Sequence, residues 1–258
     1  IGKSIKRVED KRFITGHGRY TDDIVLPGMT HAYILRSPYA HANIKSIDIS
    51  EAAAMKGVVT IMTGDEVGHY GVPCGWQVNF KNGDTMKEPP HPLLVKDKVR
   101  HVGDAVALVV AESREIAQDA AEAIVIDYEV LPAVTDASKA VEAGAPQVHD
   151  SVPNNICFDW EIGNPKAEVD EAMAGAAHVT TLDFVNQRLS PNAMEPRSYI
   201  GHYDNVYDRY TLYTSTQNPH LIRLLMCAFV LGLPEHKVRV VGPDVGGGFG
   251  SKIYHYTE

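Results

Sequence analysis

Apolar and polar residues alternate over short stretches in the first half of the chain, and each stretch ends on a turn signal. Residues 30–36 follow Pro27-Gly28 and alternate enough for a half-buried strand, which Ser37-Pro38 ends. Residues 42–49 repeat the period of two. Ser50 is the predicted N-cap of a short helix over 51–56, closed by Gly57, and 58–62 form a third strand. Gly71, Pro73, Gly75, Gly83, Pro89, Pro90 and Pro92 then deny any period to 64–98, which reads as a long loop. Loops of that length in compact domains usually serve a function or contact a neighbour.

The unbroken apolar run 106–110 predicts a buried central strand. Ser113 follows as an N-cap, and Ile116, Ala117, Ala120, Ala121 and Ile124 share one face of the helix it starts. Residues 124–130 return to strand until Leu131-Pro132. Together these elements predict an α+β domain of the size that fits one core.

Beyond it, residues 136–165 are rich in Pro, Gly, Asn and Asp and read as a connecting segment. A short helix is predicted over 167–174, then strands over 178–185, 197–202 and 210–214. A helix over 220–231 would bury Leu221, Leu224, Leu225 and Phe229, with Gly232 and Pro234 closing it. Residues 238–241 predict a buried strand that runs straight into Gly242-Pro243-Asp244-Val245-Gly246-Gly247-Gly248-Phe249-Gly250-Ser251-Lys252. The chain then ends at Glu258 without a cap or polar tail and begins without Met, as expected of a fragment.

Composition narrows the function classes. Of 258 residues, 44% are hydrophobic and 22% charged, ordinary for a globular protein, and 33 acidic against 24 basic residues give a formal charge of −9. That excess argues against a nucleic-acid partner, which needs clustered Lys and Arg. No apolar run reaches the ~18 residues of a membrane span, and the start is not a signal peptide. Cys74, Cys157 and Cys227 are far apart, so neither a disulfide framework nor an iron–sulfur ligand set can be drawn from them. They read as reduced or buried thiols of a cytoplasmic protein.

The glycine loop is the strongest local signal for chemistry. Its bare backbone lets N–H groups approach a ligand closely, and a strand–loop–helix order would suit an anion at a helix start. The dinucleotide spacing G-x-G-x-x-G fails, because Ser251 or Ile253 stands at the third glycine, and the P-loop fails because Ile253 follows Lys252. A tight strand-to-helix crossing without a ligand stays open. Phe249 either wedges under a flat ligand or anchors the loop to the core. Glu195, beside Pro196 and with no partner visible, reads as structural. His41, His91, His101, His202, His220, His236 and His255 are scattered without metal-ligand spacing.

Taken in order, several of these stretches resemble one family. Ser215-Thr216-Gln217-Asn218-Pro219-His220, Leu233-Pro234-Glu235-His236-Lys237-Val238 and Gly246-Gly247-Gly248-Phe249-Gly250-Ser251-Lys252 are similar to the first cofactor-binding stretch of the xanthine oxidase family of molybdenum hydroxylases, in particular its carbon monoxide dehydrogenase-like branch. Upstream, Lys6-Arg7-Val8-Glu9-Asp10, Arg36-Ser37-Pro38-Tyr39-Ala40-His41-Ala42, Val102-Gly103-Asp104-Ala105-Val106-Ala107 and Asp127-Tyr128-Glu129-Val130-Leu131-Pro132 resemble its hammerhead domain, and Met194-Glu195-Pro196 the opening of its molybdenum-binding domain.

The resemblance implies an α+β fold in which 1–140 form the hammerhead-type domain, 141–165 connect, and 166–258 begin the molybdopterin-binding domain of the large subunit. It implies that Gln217 brings its amide to the oxo group on molybdenum. Gly247, Gly248, Phe249 and Gly250 would lie against the metal–pterin group, although Gln217 on its own reads more often as an ordinary polar residue at a helix start. The pterin is expected in its cytosine dinucleotide form, with iron–sulfur clusters on a small partner subunit and FAD on a medium one. No catalytic residue and no protein metal ligand is expected in this chain, because the family's catalytic glutamate lies beyond Glu258. The implied activity is water-derived hydroxylation or oxidation of a small molecule such as carbon monoxide, an aldehyde or an N-heterocycle. Ile253, where purine-oxidising members carry glutamate, weakens a purine assignment. The alternative is a non-catalytic module that only contacts other subunits.

Overall fold

A computed structural model describes residues 2–73, 77–187 and 189–258; Cys74 lies outside them. In chain order the helices and strands are α1 (Asp10–Ile14), β1 (His31–Arg36), β2 (Ala42–Asp48), α2 (Ser50–Ala54), β3 (Val58–Thr63), α3 (Gly64–Val67), β4 (Lys98–Val99), β5 (Ala105–Ala111), α4 (Arg114–Glu122) and β6 (Val125–Val130). The second half adds α5 (Lys166–Ala174), β7 (Tyr199–Asp204), β8 (Arg209–Thr214), α6 (Pro219–Leu225), a π-helical stretch Met226–Leu231, and β9 (Val238–Val241).

The first half contains two antiparallel three-stranded sheets, ordered β1-β5-β3 and β4-β2-β6. The apolar run of β5 is central, with Ala105, Val106, Ala107, Val109 and Ala111 buried. Helix α4 lays Ala117, Ala120 and Ala121 on this sheet; small side chains there let helix and strands approach closely. Ser113 caps α4 as expected, its Oγ accepting the Ile116 N–H at 3.2 Å. Val95, Val99 and Val106 join Ala42 in a second cluster between the sheets.

Two expectations in this half need correction. Helix α2 starts at Ser50 rather than after it, because Asp48 accepts both the Ser50 N–H and its hydroxyl. The stretch 64–98 holds α3, introduced by a capping box between Thr63 and Glu66, and ends in β4. Its Val72, Met86, Leu94 and Val95 are buried, so the loop packs on its own domain. Residues 141–165 also follow the hammerhead surface closely. Asn155 bonds the carbonyls of Ala140 and Pro146, and the N–H groups of Lys81 and Lys87 donate to Asp159 and Cys157.

The second half is built on β7-β8-β9, with β7 antiparallel and β9 parallel to β8. The parallel pair requires a crossover, which α6 and the π-helical stretch supply. The predicted stripe of Leu221, Leu224, Leu225 and Phe229 is not the buried face. Ile222 and Cys227 are buried, whereas Leu224 and Phe229 are exposed; the offset is already present at Ile222 and Leu224 within α6, and the wider π turn shifts the residues after Leu225 further around the axis. The predicted strand 178–185 is absent among the described residues and its apolar side chains stand in solvent. Helix α5 buries nothing. In β9 only Val238 is buried, as suits an edge strand.

Candidate functional site

β9 delivers the chain to the glycine loop, whose two ends are held from outside. At the entry, Asp244 receives the Arg12 guanidinium through both nitrogens and the Arg19 N–H at 2.7 Å, while its own N–H donates to the Arg19 carbonyl at 3.0 Å. These bonds, Arg12 foremost, hold the Asp244 carboxyl below the usual aspartate range. At the exit, the Lys252 carbonyl accepts the Gln217 N–H at 2.9 Å and the Thr216 hydroxyl at 3.1 Å. No helix follows the loop among the described residues; residues 249–252 are a turn, closed by the Ser251 N–H and hydroxyl on the Gly248 carbonyl. The anticipated helix-start anion site is therefore not what this loop builds.

Gln217, Gly248, Phe249 and Gly250 are brought together. The Gly250 N–H donates to Gln217 Oε1 at 3.0 Å. Because an N–H can face only the oxygen of the amide, the Nε2 end is left as a donor with no protein partner among the described residues. A Cβ on Gly248 would lie 2.4 Å from Gln217 Oε1, so only glycine fits between the loop backbone and this amide. Gly247, at φ +101°, lies under the Phe249 ring, where a Cβ would come within 2.9 Å of it. Phe249 itself has φ +49°, a left-handed backbone unusual for an aromatic residue, and its side chain is 74% exposed. The ring is not an anchor in the core.

Among the described residues, the N–H groups of Gly247, Gly248 and Phe249 donate to no protein acceptor. Three consecutive free N–H groups beside a free amide NH₂ form a concentration of donors that calls for an electron-rich ligand. Phosphate, carboxylate, sulfur or metal-bound oxygen would each satisfy them. A molybdenum–pterin group, with its phosphate and sulfur atoms, fits such a donor set, and no protein ligand to the metal is needed. Among the described residues, no group of three or more His, Cys, Asp or Glu side chains is placed to hold a metal ion.

Behind the loop stands an ion pair that period and spacing do not reveal. Glu195 Oε2 accepts from Ser215 Oγ at 2.6 Å, the Gly246 N–H at 2.7 Å and Lys252 Nζ at 3.1 Å, and Lys252 also donates to Ser215 Oγ at 2.7 Å. The Lys252 side chain is 1% exposed. Burial raises the Glu195 pKa, but the bonds from Ser215, Gly246 and Lys252 outweigh it and hold the carboxyl below the usual glutamate range. A lysine inside an apolar glycine loop needs a buried carboxylate partner, and that requirement was the available signal.

The sequence matches two families, one after the other. Residues 15–132 match the aldehyde oxidase and xanthine dehydrogenase a/b hammerhead domain, and residues 148–258 match the molybdopterin cofactor-binding domain. The chain belongs to the xanthine oxidase family of molybdenum hydroxylases, as the portion of a large subunit that holds the hammerhead domain and the start of the molybdopterin-binding domain. It is 38% identical to the nicotine 6-hydroxylase large subunit of Paenarthrobacter nicotinovorans, over all of this chain and 31% of that one. It is 36% identical to the carbon monoxide dehydrogenase large chain of Afipia carboxidovorans, over 100% of this chain and 32% of that one. Its structure superposes on quinoline 2-oxidoreductase from Pseudomonas putida 86 with a TM-score of 0.84 at 38% identity, covering all of this chain and 32% of that one. The chain thus spans about a third of the length of these relatives. No helix among the described residues is long and apolar enough to cross a membrane.

Proposed function

We propose that this chain supplies one wall of the molybdenum–pterin site in a large subunit that oxidises a small molecule. The observation that carries this is the row of free N–H groups at Gly247, Gly248 and Phe249 beside the free Nε2 of Gln217. When bound, the molybdenum–pterin group supplies a two-electron acceptor for an oxidation in which water is the oxygen source. The chain's own part is to hold that group. Gln217 donates through Nε2 while Gly250 fixes its oxygen, the loop N–H groups meet the electron-rich atoms, and the Phe249 ring covers one face. The cytosine dinucleotide form of the pterin, a small iron–sulfur subunit, a medium FAD subunit and a cytoplasmic location complete the proposal. The partner subunits are supported by the sparse, unpatterned Cys of this chain and by the name of one relative, a subunit of the 6-hydroxypseudooxynicotine dehydrogenase complex; the pterin form and the location follow from the family resemblance alone. The division into 1–140, 141–165 and 166–258 belongs to the same proposal.

The substrate class is carbon monoxide, an aldehyde or an N-heterocycle; relatives are named for nicotine and for carbon monoxide alike. The test is molybdenum and pterin analysis of the full-length subunit purified with its partners, for the wild type and for Gln217→Ala and Gly248→Ala. Both variants should lose bound cofactor by about tenfold, Gln217→Ala because it removes the Nε2 donor and Gly248→Ala because its methyl displaces that amide. Wild-type-like cofactor content in both would sink the proposal. A second reading, a module that only contacts other subunits, draws on the exposed Leu182, Phe184, Val185 and Leu189. It requires a cofactor-free wild-type subunit in the same measurement.

A further inference from the structure

Glu195, Ser215 and Lys252 stand behind the loop and join four separate stretches of chain through one carboxylate oxygen. Glu195 Oε2 takes the Gly246 N–H, and the Gly246 carbonyl takes the Glu195 N–H at 3.2 Å, so this pair is bonded in both directions at the loop entry. Lys252 brings the loop exit to the same oxygen, and Ser215 brings the end of β8. Ser215 donates to Glu195 while accepting from Lys252, which fixes its hydroxyl rotor. Two residues on, Gln217 is tied to the Lys252 carbonyl. A Cβ on Gly246 would meet Glu195 Cβ at 2.5 Å, so the contact is also closed sterically. The second carboxylate oxygen, Oε1, is buried with no partner among the described residues. All the side-chain bonds that Glu195 accepts therefore fall on the one oxygen of the latch.

We propose that Glu195 and Lys252 are positioning residues: their buried ion pair latches entry and exit of the glycine loop together and thereby sets the Gly250–Gln217 contact and the free N–H row in front of it. This rests on the proposed cofactor site for its functional consequence but not for its structural one, and the two are measured separately. In the full-length subunit assembled with its partners, Glu195→Gln keeps the shape and the acceptor oxygen but removes the charge. Lys252→Met keeps the stem and leaves the carboxylate buried alone, and the double variant removes both charges. Amide hydrogen exchange at Gly246, Gly250 and Ser251, the loop N–H groups that have acceptors, reads the latch in cofactor-free protein. Each single variant should exchange about tenfold faster there, with the double variant closer to wild type, because neither buried charge is then orphaned. Molybdenum and pterin content should fall in the same order. If both singles fold, by circular dichroism, and exchange the loop at the wild-type rate, the latch is refuted. A single variant that fails to fold while the double folds and protects the loop supports it. Wild-type protein without molybdenum would overturn the cofactor site while exchange still decides the latch.

Discussion

The two halves of the chain make contrasting use of apolar residues. The hammerhead half closes on itself. Its central strand β5 is covered by β1 and β3 at its sides and by α4 on one face, and Val99, Val106 and Val109 are fully buried. The half beyond residue 148 keeps its order in polar contacts around the loop and leaves Phe158, Trp160, Leu182, Phe184 and Leu189 exposed. A core built from local periodicity sustains its own fold; a site built from donors and buried charges depends on being held by other segments. Arg12 on Asp244 and Arg36 on Glu258 at 2.8 Å are how the first half and its leading segment hold the second, with Arg197 of the second half sharing the Glu258 carboxylate at 2.6 Å.

The sharpest way to break that contrast is Val106→Asp. An unpaired charge in the fully buried strand should cost more than about 4 kcal/mol and unfold the hammerhead half, read by urea titration. An unchanged midpoint would mean that β5 is not the centre of the fold. Gly248→Ala comes next. The new methyl must displace the Gln217 amide, at about 1–3 kcal/mol, with the damage confined to the loop. Global loss of structure would contradict the separation of core and site. The Asp244 clamp is a smaller, pH-dependent contribution. Its pKa is lower folded than unfolded, so its stabilisation is present above the ordinary aspartate value of 3.8 and is lost as pH falls through the folded value. Arg12→Ala should remove this acid dependence and speed proteolysis of the leading segment; equal sensitivity at pH 7 and pH 3 would show the clamp to be idle. Smallest of all, Leu182→Ser should shift stability by less than about 0.5 kcal/mol in this chain, because the side chain is already 76% exposed.

The same contrast explains what was legible beforehand. Strands 1 to 3, β5, the Ser113 cap and α4 follow from period and punctuation because their partners are sheet neighbours and helix faces, which impose a period. The predicted strand at 178–185 has the right alternation, but a strand also needs a hydrogen-bonding neighbour, and none of the described residues provides one. The observed stripe departs from the predicted one within α6, where Ile222 rather than Leu224 is buried, and a π turn that no residue type announces changes the period again after Leu225. At the site, the glycines and Gln217 were visible as letters, whereas their relation to Glu195 and Lys252 is a matter of contacts across 51 and 57 residues. Family resemblance supplied the cofactor; spacing alone left the loop open between ligand and crossing.

One peptide unit carries a consequence for engineering. Phe249 holds a left-handed backbone that glycine would adopt freely, a conformation worth on the order of 1 kcal/mol to release. Its ring also stands in water, so Phe249→Gly is expected to make the isolated chain no less robust to heat. A directed search for thermal hardiness alone would therefore drift toward a blank tip here, discarding the one aromatic surface that the loop presents outward.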